Sequence, residues 1–414
     1  MAQKPGIFPT FFLSGFECST FDWMDKGRRN LIRETQHDTH IDEDYRHLSK
    51  LGIGVAREGI PWPFVDNNGS YDFSSIDPYI EALKREKILP IWDLCHYGYP
   101  DGLDPFADEF TEQFANYCRA AAEYVIPRLP GPHFFTPMNE ITFFGYIGGQ
   151  FGWVAPFRKT RDDGVALRKA LCRADIAGVK AIREVDPEAR MVHIDPIVQI
   201  VAPPNEPDKE SPAFYETFED PFLSWDILYG RACPEYGGAP EILDILGANN
   251  YSFGQMEYRA DGHHEPIDPG DPRIKPLCDL LTLAWERYHR PILISETSGL
   301  KEGRDEWMRD VVEESLAAVN MGIDLQGICL FPAVDMPDWH TGEWLHNGIC
   351  DLVPEGDNLK RVPYEPFIQE LRRWEKEFRR VTELDEDPQS DPVELQDIVE
   401  AAQQLKPKPD ENWH

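Results

Sequence analysis

The alternation of short apolar runs with longer amphipathic patterns is the feature of this chain that most restricts its fold. Eight apolar runs of strand length occur along the 414 residues, and helical periodicity marks most of the segments between them. Parallel neighbouring strands need a crossover connection, which is usually a helix, so the alternation predicts a mainly parallel sheet. Eight such units in one chain predict a single (β/α)8 barrel, a TIM barrel of the α/β class.

The predicted elements cover the chain as far as residue 380. Strands are predicted at residues 8–15, 53–57, 88–95, 133–140, 190–194, 245–251, 292–296 and 327–332. Helices are predicted at residues 42–50, 76–86, 106–126, 163–184, 272–288, 304–320 and 364–380. Residues 202–240 are rich in Pro, Glu and Asp, which predicts a long loop with one short helix at 222–228.

Residues 383–414 differ in composition from the rest of the chain. They contain ten acidic residues, two basic residues and four prolines, with little hydrophobic periodicity outside 393–405. A segment of this composition cannot bury enough apolar surface to order itself. We therefore expect a barrel domain over residues 1–382 and an acidic, partly disordered extension over 383–414 that carries one weak helix.

The charge of the chain restricts the kind of partner it can bind. Its formal net charge is −33 at pH 7, which disfavours a nucleic-acid backbone or an anionic membrane surface as partner. The sequence also shows no basic cluster and no glycine-rich loop that would hold a heavily phosphorylated substrate. We therefore expect a small-molecule ligand, with no nucleic-acid or membrane partner, while the oligomeric state stays open.

The cysteines and the N-terminal segment indicate the compartment. The eight cysteines are spread singly without a C-x-x-C pair, which is typical of buried thiols and not of a zinc or redox motif. Residues 1–10 lack the basic start and apolar stretch of a signal peptide, and no apolar run is long enough to span a bilayer. These observations predict a cytoplasmic protein.

Two glutamates close predicted strands and suggest the chemistry. Glu140 ends the apolar run 132–140, and Glu296 ends the run 291–296. The carboxyl ends of barrel strands meet at one face, so we expect these two side chains to lie together at the mouth. Two carboxyls roughly 5–5.5 Å apart are the arrangement of a retaining glycosidase, which predicts Glu140 as acid/base and Glu296 as nucleophile. Burial and the neighbouring charge of Glu296 would raise the pKa of Glu140.

Three further residues at predicted strand ends would support this pair. Asn139 can donate a hydrogen bond to the sugar 2-hydroxyl beside Glu140. Arg57 ends the second strand and can orient Glu296, while Tyr251 ends the sixth strand and can donate to the same carboxylate. The mechanism uses two carboxylates alone, so we expect neither a cofactor nor a metal ion.

Seven segments in order resemble family 1 of the glycoside hydrolases, the β-glucosidase family, within the clan of retaining (β/α)8 hydrolases. The resemblance runs from about residue 8 to residue 380. It is carried by F-L-S-G at 12–15, H-Y-G-Y-P at 96–100, T-P-M-N-E at 136–140, the loop 148–157 with Ala-Pro, G-A-N-N-Y at 247–251, P-I-L-I-S-E at 291–296 and D-M-P-D-W at 335–339.

The resemblance implies an exo-acting, β-glucosidase-like retaining enzyme with Glu140 as acid/base and Glu296 as nucleophile. It also implies a set of sugar-binding residues around them. His96 and Asn139 would hold the sugar, Asn249 and Tyr251 would line the floor of the site, and Asp338 with Trp339 would bind sugar hydroxyls.

The chain departs from the family pattern at the distal wall of the pocket. The position of a family glutamine falls near Phe21, and Glu17 is a possible substitute as hydroxyl acceptor. Phe331 replaces a tryptophan of the eighth strand, and Asp338 is one methylene shorter than the family glutamate. The identity of the sugar is therefore left open.

The family has a cis peptide after the eighth-strand tryptophan, and a cis bond costs least before proline. We therefore predict a cis bond between Phe331 and Pro332.

Two alternatives to hydrolysis remain open at the level of sequence. A transglycosidase would use the same residues and replace water by an acceptor hydroxyl. A catalytically silent barrel that binds carbohydrate would keep the fold, although the presence of both Glu140 and Glu296 argues against it.

Overall fold

A closed barrel of eight parallel strands forms the centre of the protein, as the sequence predicts. The structure is a computed structural model that describes residues 6–205, 220–259, 263–268 and 270–385. The barrel strands are β1 Phe12–Gly15, β2 Val55–Gly59, β3 Leu89–Asp93, β4 Phe134–Thr136, β5 Arg190–Pro196, β6 Ile245–Asn249, β7 Ile292–Thr297 and β8 Leu325–Leu330. Each strand lies between its neighbours in the sequence, and β1 pairs with β8 to close the barrel.

Helices cover the outside of the barrel. The longer ones are α1 His37–Lys50, α2 Asp77–Glu86, α3 Asp108–Val125, α4 Arg161–Val185, α5 Leu223–Tyr229, α6 Leu277–Tyr288, α7 Arg304–Asn320 and α8 Glu365–Asp385. Shorter helical segments occur at Leu31–Glu34, Trp62–Val65, Ile141–Phe144 and Gly145–Gln150. Every helix predicted from the sequence is present, and the short helix predicted at 222–228 is α5. Helix α6 begins five residues later than predicted because Pro276 stands directly before it.

Two layers of apolar side chains hold the barrel together. Inside it, residues from the strands form one cluster that includes Leu13, Val55, Ile91, Phe134 and Leu293. The larger core lies between the strands and the helices. Inward-facing residues of neighbouring strands thus fill the barrel, which leaves polar side chains for the strand ends.

Short strands outside the barrel, most of them in antiparallel pairs, were not predicted from the sequence. Cys350–Glu355 and Asn358–Pro363 form a hairpin after β8, and its turn contains Gly356 with a φ of +66°. Gln199–Val201, Gln255–Tyr258 and His264–Pro266 form a small sheet. Short pairs join Asp22–Trp23 to Gly27–Arg28 and Asp66–Asn67 to Ser70–Tyr71. Most of these strands are two to four residues long, which is too short for an alternation of apolar and polar side chains to stand out.

Several smaller expectations can be compared with the structure. The bond between Phe331 and Pro332 is cis, as predicted. All eight cysteines are free thiols, and six of them are buried, which also agrees with prediction. Among the helices in the described residues, none is both long and apolar enough to cross a bilayer. The weak helix predicted at 393–405 and most of the extension 383–414 lie outside the described residues, and the loop 202–240 is described only in part.

Candidate active site

Glu140 and Glu296 both lie at the carboxyl end of the barrel, Glu140 after β4 and Glu296 near the end of β7. Glu296 belongs to β7, and Asn249 at the end of β6 is its partner in the strand register. The side chain of Asn249 donates a hydrogen bond of 2.8 Å from Nδ2 to Oε1 of Glu140. The side chain of Ser295 fixes this orientation, because its hydroxyl donates to Oδ1 of Asn249 at 2.6 Å. The two glutamates predicted from the sequence therefore face one site.

The backbone at Glu140 turns sharply out of the strand direction. Strand β4 ends at Thr136, four residues earlier than predicted, yet the chain continues beside β5 through a bridge between Asn139 and Ile194. The amide of Glu140 donates to the carbonyl of Ile194 at 2.9 Å, and Glu140 has a φ of +44°. This left-handed residue ends the extended segment and begins the helix Ile141–Phe144. The turn leaves Glu140 only 8% exposed.

Two donors hold the carboxylate of Glu296. Arg57 forms an ion pair of 2.6 Å with Oε1, and the Tyr251 hydroxyl donates to Oε2 at 2.8 Å. Arg57 is 1% exposed and Glu296 is 4% exposed, so water competes little for either group. The contacts predicted for Arg57 and Tyr251 are therefore present.

Arg57 connects several groups of the site. Its second terminal nitrogen donates to Oδ2 of Asp93 at 2.7 Å and to Oδ1 of Asn139 at 3.0 Å. Burial lowers the pKa of Arg57, but the charges of Glu296 and Asp93 outweigh it and raise the pKa well above its ordinary value. The guanidinium thus stays charged and orients a carboxylate and an amide at the same time.

Glu140 has the environment of a carboxyl that keeps its proton near neutrality. Burial, followed by the charge of Glu296, raises its pKa to about 8. Hydrogen bonds from the Tyr97 hydroxyl and from Asn249 act in the opposite direction. A carboxyl with a pKa in this range is suited to donate a proton at neutral pH.

His96 and Glu17 lie together on one wall of the site. His96 Nδ1 is 3.0 Å from Oδ2 of Asp93, and Nε2 is 3.1 Å from Nδ2 of Asn139. Since the Asp93 carboxylate can only accept, Nδ1 carries a hydrogen. Glu17 is 3% exposed, accepts a hydrogen bond of 2.8 Å from the amide of Ser19, and lies 3.9 Å from His96 Nε2.

Aromatic side chains form another part of the wall. Phe331 is buried, its ring is nearly parallel to that of His96 at 6.4 Å, and Arg57 lies over its face at 5.0 Å. Trp339 packs against Tyr97 at 5.6 Å and against Phe21 at 4.6 Å between ring centroids. Phe21, at the position of the family glutamine, is thus part of an apolar cluster with Trp339.

The carboxylate of Asp338 closes a turn within its own loop. Its Oδ1 accepts from the amides of Thr341 at 2.7 Å and His340 at 3.0 Å, and from the Thr341 hydroxyl at 3.0 Å. These hydrogen bonds fix the orientation of the Asp338 carboxylate through Oδ1, and the sugar contact predicted for Asp338 stays a prediction.

Within the part of the chain that the structure describes, two groups of three side chains have donor atoms close enough together for a metal ion. One consists of Cys18, Asp93 and His96, and the other of Asp335, His346 and Asp351. In each group a guanidinium already binds a carboxylate, since Arg57 pairs with Asp93 at 2.7 Å and Arg304 with Asp351 at 2.9 Å. A bound cation would have to displace these positive charges, so neither group has the character of a metal centre.

Three residues of the site had no role predicted from the sequence. Asp93 ends β3 and supports both Arg57 and His96, Tyr97 donates to Glu140, and Ser295 orients Asn249. Each of them is adjacent or close to a residue that was predicted. A signal was present for Tyr97, which lies in the segment 96–100 that carries part of the family resemblance.

The fold and the site define a (β/α)8 protein with two buried glutamates at the carboxyl end of its strands. No protein-family model matches the chain. The aryl-phospho-β-D-glucosidase of Bacillus subtilis is 21% identical over 470 residues, covering 88% of this chain and 96% of that protein. The 1,4-β-D-glucan glucohydrolase of Thermotoga neapolitana is 23% identical over 372 residues, covering 74% and 83%.

Solved structures with a similar fold include several of one enzyme. The family 1 β-glucosidase of Thermotoga maritima has a TM-score of 0.70 and 17% identity, covering 91% of this chain and 99% of that chain. Its complex with deoxynojirimycin has a TM-score of 0.71 and 18% identity, with the same coverage. The chain is thus similar to family 1 β-glucosidases, as its motifs predict, and the (β/α)8 fold is confirmed.

Proposed function

We propose that this protein is an exo-acting, retaining β-glycosidase with Glu140 as acid/base and Glu296 as nucleophile. The observation that carries the proposal is the contrast between two carboxyls at one end of the barrel. Burial and the charge of Glu296 raise the pKa of Glu140 to about 8, whereas Glu296 accepts hydrogen bonds from Arg57 and Tyr251. A protonated acid beside an oriented carboxylate is the pair that retaining hydrolysis needs.

The first half of the reaction forms a glycosyl–enzyme. An oxygen of Glu296 attacks the anomeric carbon while Glu140 gives its proton to the glycosidic oxygen, and the bond to the aglycone breaks with its electron pair on that oxygen. Arg57 and Tyr251 keep Glu296 oriented for the attack. Proton donation of this kind contributes about 10²–10⁴-fold to the rate.

The second half returns the enzyme to its starting state. Once Glu296 is esterified its charge is gone, so the pKa of Glu140 falls and its carboxylate can accept a proton from water. The water oxygen bonds to the anomeric carbon, and the electron pair of the ester bond returns to Glu296. Two displacements at the same carbon give a product with the anomeric configuration of the substrate.

The sugar contacts expected from the sequence are part of the proposal. Asn139, His96, Asn249 and Glu17 provide polar atoms for sugar hydroxyls, and Phe331 and Trp339 provide apolar surfaces. Asp338 stays in this set as a residue for sugar hydroxyls, with its Oδ1 fixed by Thr341 and His340.

The charges favour a neutral β-glucoside over a phosphorylated one. The relatives carry the names aryl-phospho-β-D-glucosidase and 1,4-β-D-glucan glucohydrolase, so both kinds of substrate are candidates. Near the Trp339 loop, Arg29 is paired with Glu34 at 2.7 Å and Lys26 donates to the carbonyl of His340 at 2.6 Å. Glu17 adds a buried carboxylate to the wall, which would repel a phosphate.

A substrate panel with a labelling experiment tests the proposal. Nitrophenyl β-glycosides of gluco, galacto, manno, fuco, xylo and glucuronic configuration are assayed together with the gluco 6-phosphate. We expect turnover of at least one neutral glycoside, with the β-anomer released first in NMR spectra, and labelling of Glu296 by a 2-deoxy-2-fluoro sugar. Transfer to added acceptor sugars in place of water would identify a transglycosidase. Binding without turnover or labelling would support the silent barrel and contradict the proposal.

The proposal includes a cytoplasmic location. The eight free cysteines, two of which are only partly buried, fit a reducing compartment. Cell fractionation of the source organism would test this location.

A further inference from the structure

Tyr97 is a buried tyrosine whose hydroxyl reaches the acid/base. It follows His96 after β3 and has a φ of +63°, so the backbone turns there in a conformation that non-glycine residues rarely adopt. Its ring is 3% exposed and packs edge-on against Phe144 at 5.6 Å and Trp339 at 5.6 Å. The ring is therefore held in one place, and its hydroxyl donates to Oε2 of Glu140.

The direction of this hydrogen bond is set by the groups behind it. Arg57, which can only donate, gives a hydrogen bond of 3.0 Å to Oδ1 of Asn139. The amide nitrogen of Asn139 therefore faces the Tyr97 oxygen, to which it donates at 3.1 Å. The single phenolic hydrogen is then left for Glu140. Hydrogen bonds run in one direction from Arg57 through Asn139 and Tyr97 to Glu140, while the same Arg57 binds Glu296.

We propose that Tyr97 is a positioning residue that stabilises the carboxylate form of Glu140 in the second half of the reaction. This inference rests on the proposed glycosidase function. In that half Glu140 takes a proton from water and must first be an anion, so a fixed donor on Oε2 favours the required state. Tyr97 keeps its own proton throughout, and the transferred proton moves only from water to Glu140.

The groups around Tyr97 and Glu140 determine the pKa of each. Burial and the charge of Glu296 raise the pKa of Glu140, and the Tyr97 and Asn249 hydrogen bonds limit the rise. Burial, with the charge of Glu140, raises the pKa of Tyr97 well above its ordinary value, so Tyr97 remains a donor at neutral pH. The charged or titratable groups that face one or both of them are Glu296, Asp195, Glu17, Arg57, His96 and Tyr251.

Replacement of Tyr97 by phenylalanine tests the inference. Loss of a hydrogen bond to the carboxylate form raises the pKa of Glu140, so we expect the basic limb of the kcat/KM profile to move upward by about one pH unit. With a dinitrophenyl glycoside, whose departure needs no acid, we expect the acidic limb of kcat, which reports the ionisation of Glu140 in the glycosyl–enzyme, to move upward by the same amount, so that kcat below that limb falls about tenfold through slower deglycosylation. Rapid-quench mass spectrometry should then find a larger steady-state fraction of glycosyl–enzyme.

Two further variants distinguish an effect of Tyr97 on the pKa of Glu140 from a loss of structure. Tyr99→Phe is the matched control, because Tyr99 is 5% exposed and packs against the same Phe144 without a described hydrogen bond from its hydroxyl to either glutamate. Tyr99→Phe should leave the pH dependence of kcat/KM unchanged. Site-specific 3-fluorotyrosine at position 97 keeps the shape and strengthens the donor, so the basic limb should move downward.

The outcomes of these experiments distinguish the role of Tyr97 from the proposed glycosidase function on which it rests. An active wild-type protein whose pH profile and deglycosylation rate do not respond to Tyr97→Phe or to fluorotyrosine would overturn the role of Tyr97 alone. A wild-type protein without glycosidase activity would overturn both proposals. If Tyr97→Phe does not fold, the fluorotyrosine shift decides, because that substitution preserves the packing.

Discussion

Arg57 and Glu296 form an ion pair of 2.6 Å at the mouth of the barrel, and both side chains are almost excluded from solvent. A buried charge pair is costly to create, but removal of one partner leaves the other charge uncompensated. Arg57 also neutralises Asp93 at 2.7 Å, so a single guanidinium compensates two carboxylates. The ion pair therefore connects the stability of the fold to the geometry of the nucleophile.

Replacement of Arg57 by methionine should reduce both stability and activity. It leaves Glu296 and Asp93 buried without their cation, and we expect a loss of about 3–5 kcal/mol in the free energy of unfolding. Urea denaturation followed by circular dichroism measures this loss. The matched control is Arg85→Met, which breaks a pair with Asp42 that is largely exposed, and it should change stability by less than about 0.5 kcal/mol. A similar small effect for both variants would contradict the role given to Arg57.

Replacement of Glu296 by alanine should abolish turnover of every glycoside that the wild-type protein cleaves. Azide can occupy the space that the carboxylate leaves and attack the anomeric carbon once. NMR should therefore find a glycosyl azide of inverted configuration in the presence of azide. Residual hydrolysis at the wild-type rate, or an azide product of retained configuration, would exclude Glu296 as nucleophile.

The activity should decline on the alkaline side near the pKa of Glu140. The acid acts in its protonated form, and burial with the charge of Glu296 raises its pKa to about 8. The kcat/KM of a substrate with a poor leaving group should hold below pH 8 and fall tenfold per unit above it. In Glu140→Ala this alkaline decline should be absent, while activated nitrophenyl substrates remain partly cleaved. If the alkaline decline persisted in Glu140→Ala, the titrating group would be a residue other than Glu140.

Removal of the Glu296 charge should lower the pKa of Glu140. The variant Glu296→Gln keeps the size of the side chain and removes the charge that, after burial, contributes most to the raised pKa. Carboxyl 13C NMR should therefore place the titration of Glu140 in the variant below its wild-type position. An unchanged titration would mean that the two carboxyls do not interact.

A second buried network, away from the site, should make stability depend on pH. His37 lies 2.7 Å from Asp44 and 3.0 Å from Glu58. Burial lowers its pKa, but Glu58 and Asp44 outweigh burial and raise it from 6.5 to about 9. Since the folded pKa exceeds the unfolded value, the stabilisation is fully present below pH 6.5 and is lost as the pH rises through about 9.

The expected size of this loss is about 3 kcal/mol in the free energy of unfolding between pH 6 and pH 10. Denaturation at both pH values measures it. His37→Gln should flatten the difference, whereas His40→Gln, which replaces a partly exposed ring, should leave it in place. An equal pH dependence of the wild-type protein and His37→Gln would refute the assignment.

The barrel and its two glutamates can be predicted from the sequence because both depend on local patterns. An apolar run that ends in a polar residue marks a strand and its tip, and this was enough for Glu140, Glu296, Arg57 and Tyr251. Tyr97 could not be placed in the same way, because its contact with Glu140 depends on a left-handed turn and on packing against distant rings. For Asp338 the residue type favoured a sugar contact, while the neighbouring amides of its own loop bind the carboxylate in the structure.

The hairpin after β8 determines when the N-terminal part of the chain can complete its contacts during synthesis. Its Arg361 binds Asp44 of helix α1 at 2.8 Å, across 317 positions of sequence, and Asp44 in turn binds His37. A chain that is still being synthesised cannot complete this contact until the ribosome has released the segment that carries Arg361. Helix α1 must therefore wait for nearly the whole polypeptide to emerge before Asp44 gains the guanidinium of Arg361, and truncation ahead of the hairpin should yield a product that chaperones and proteases recognise.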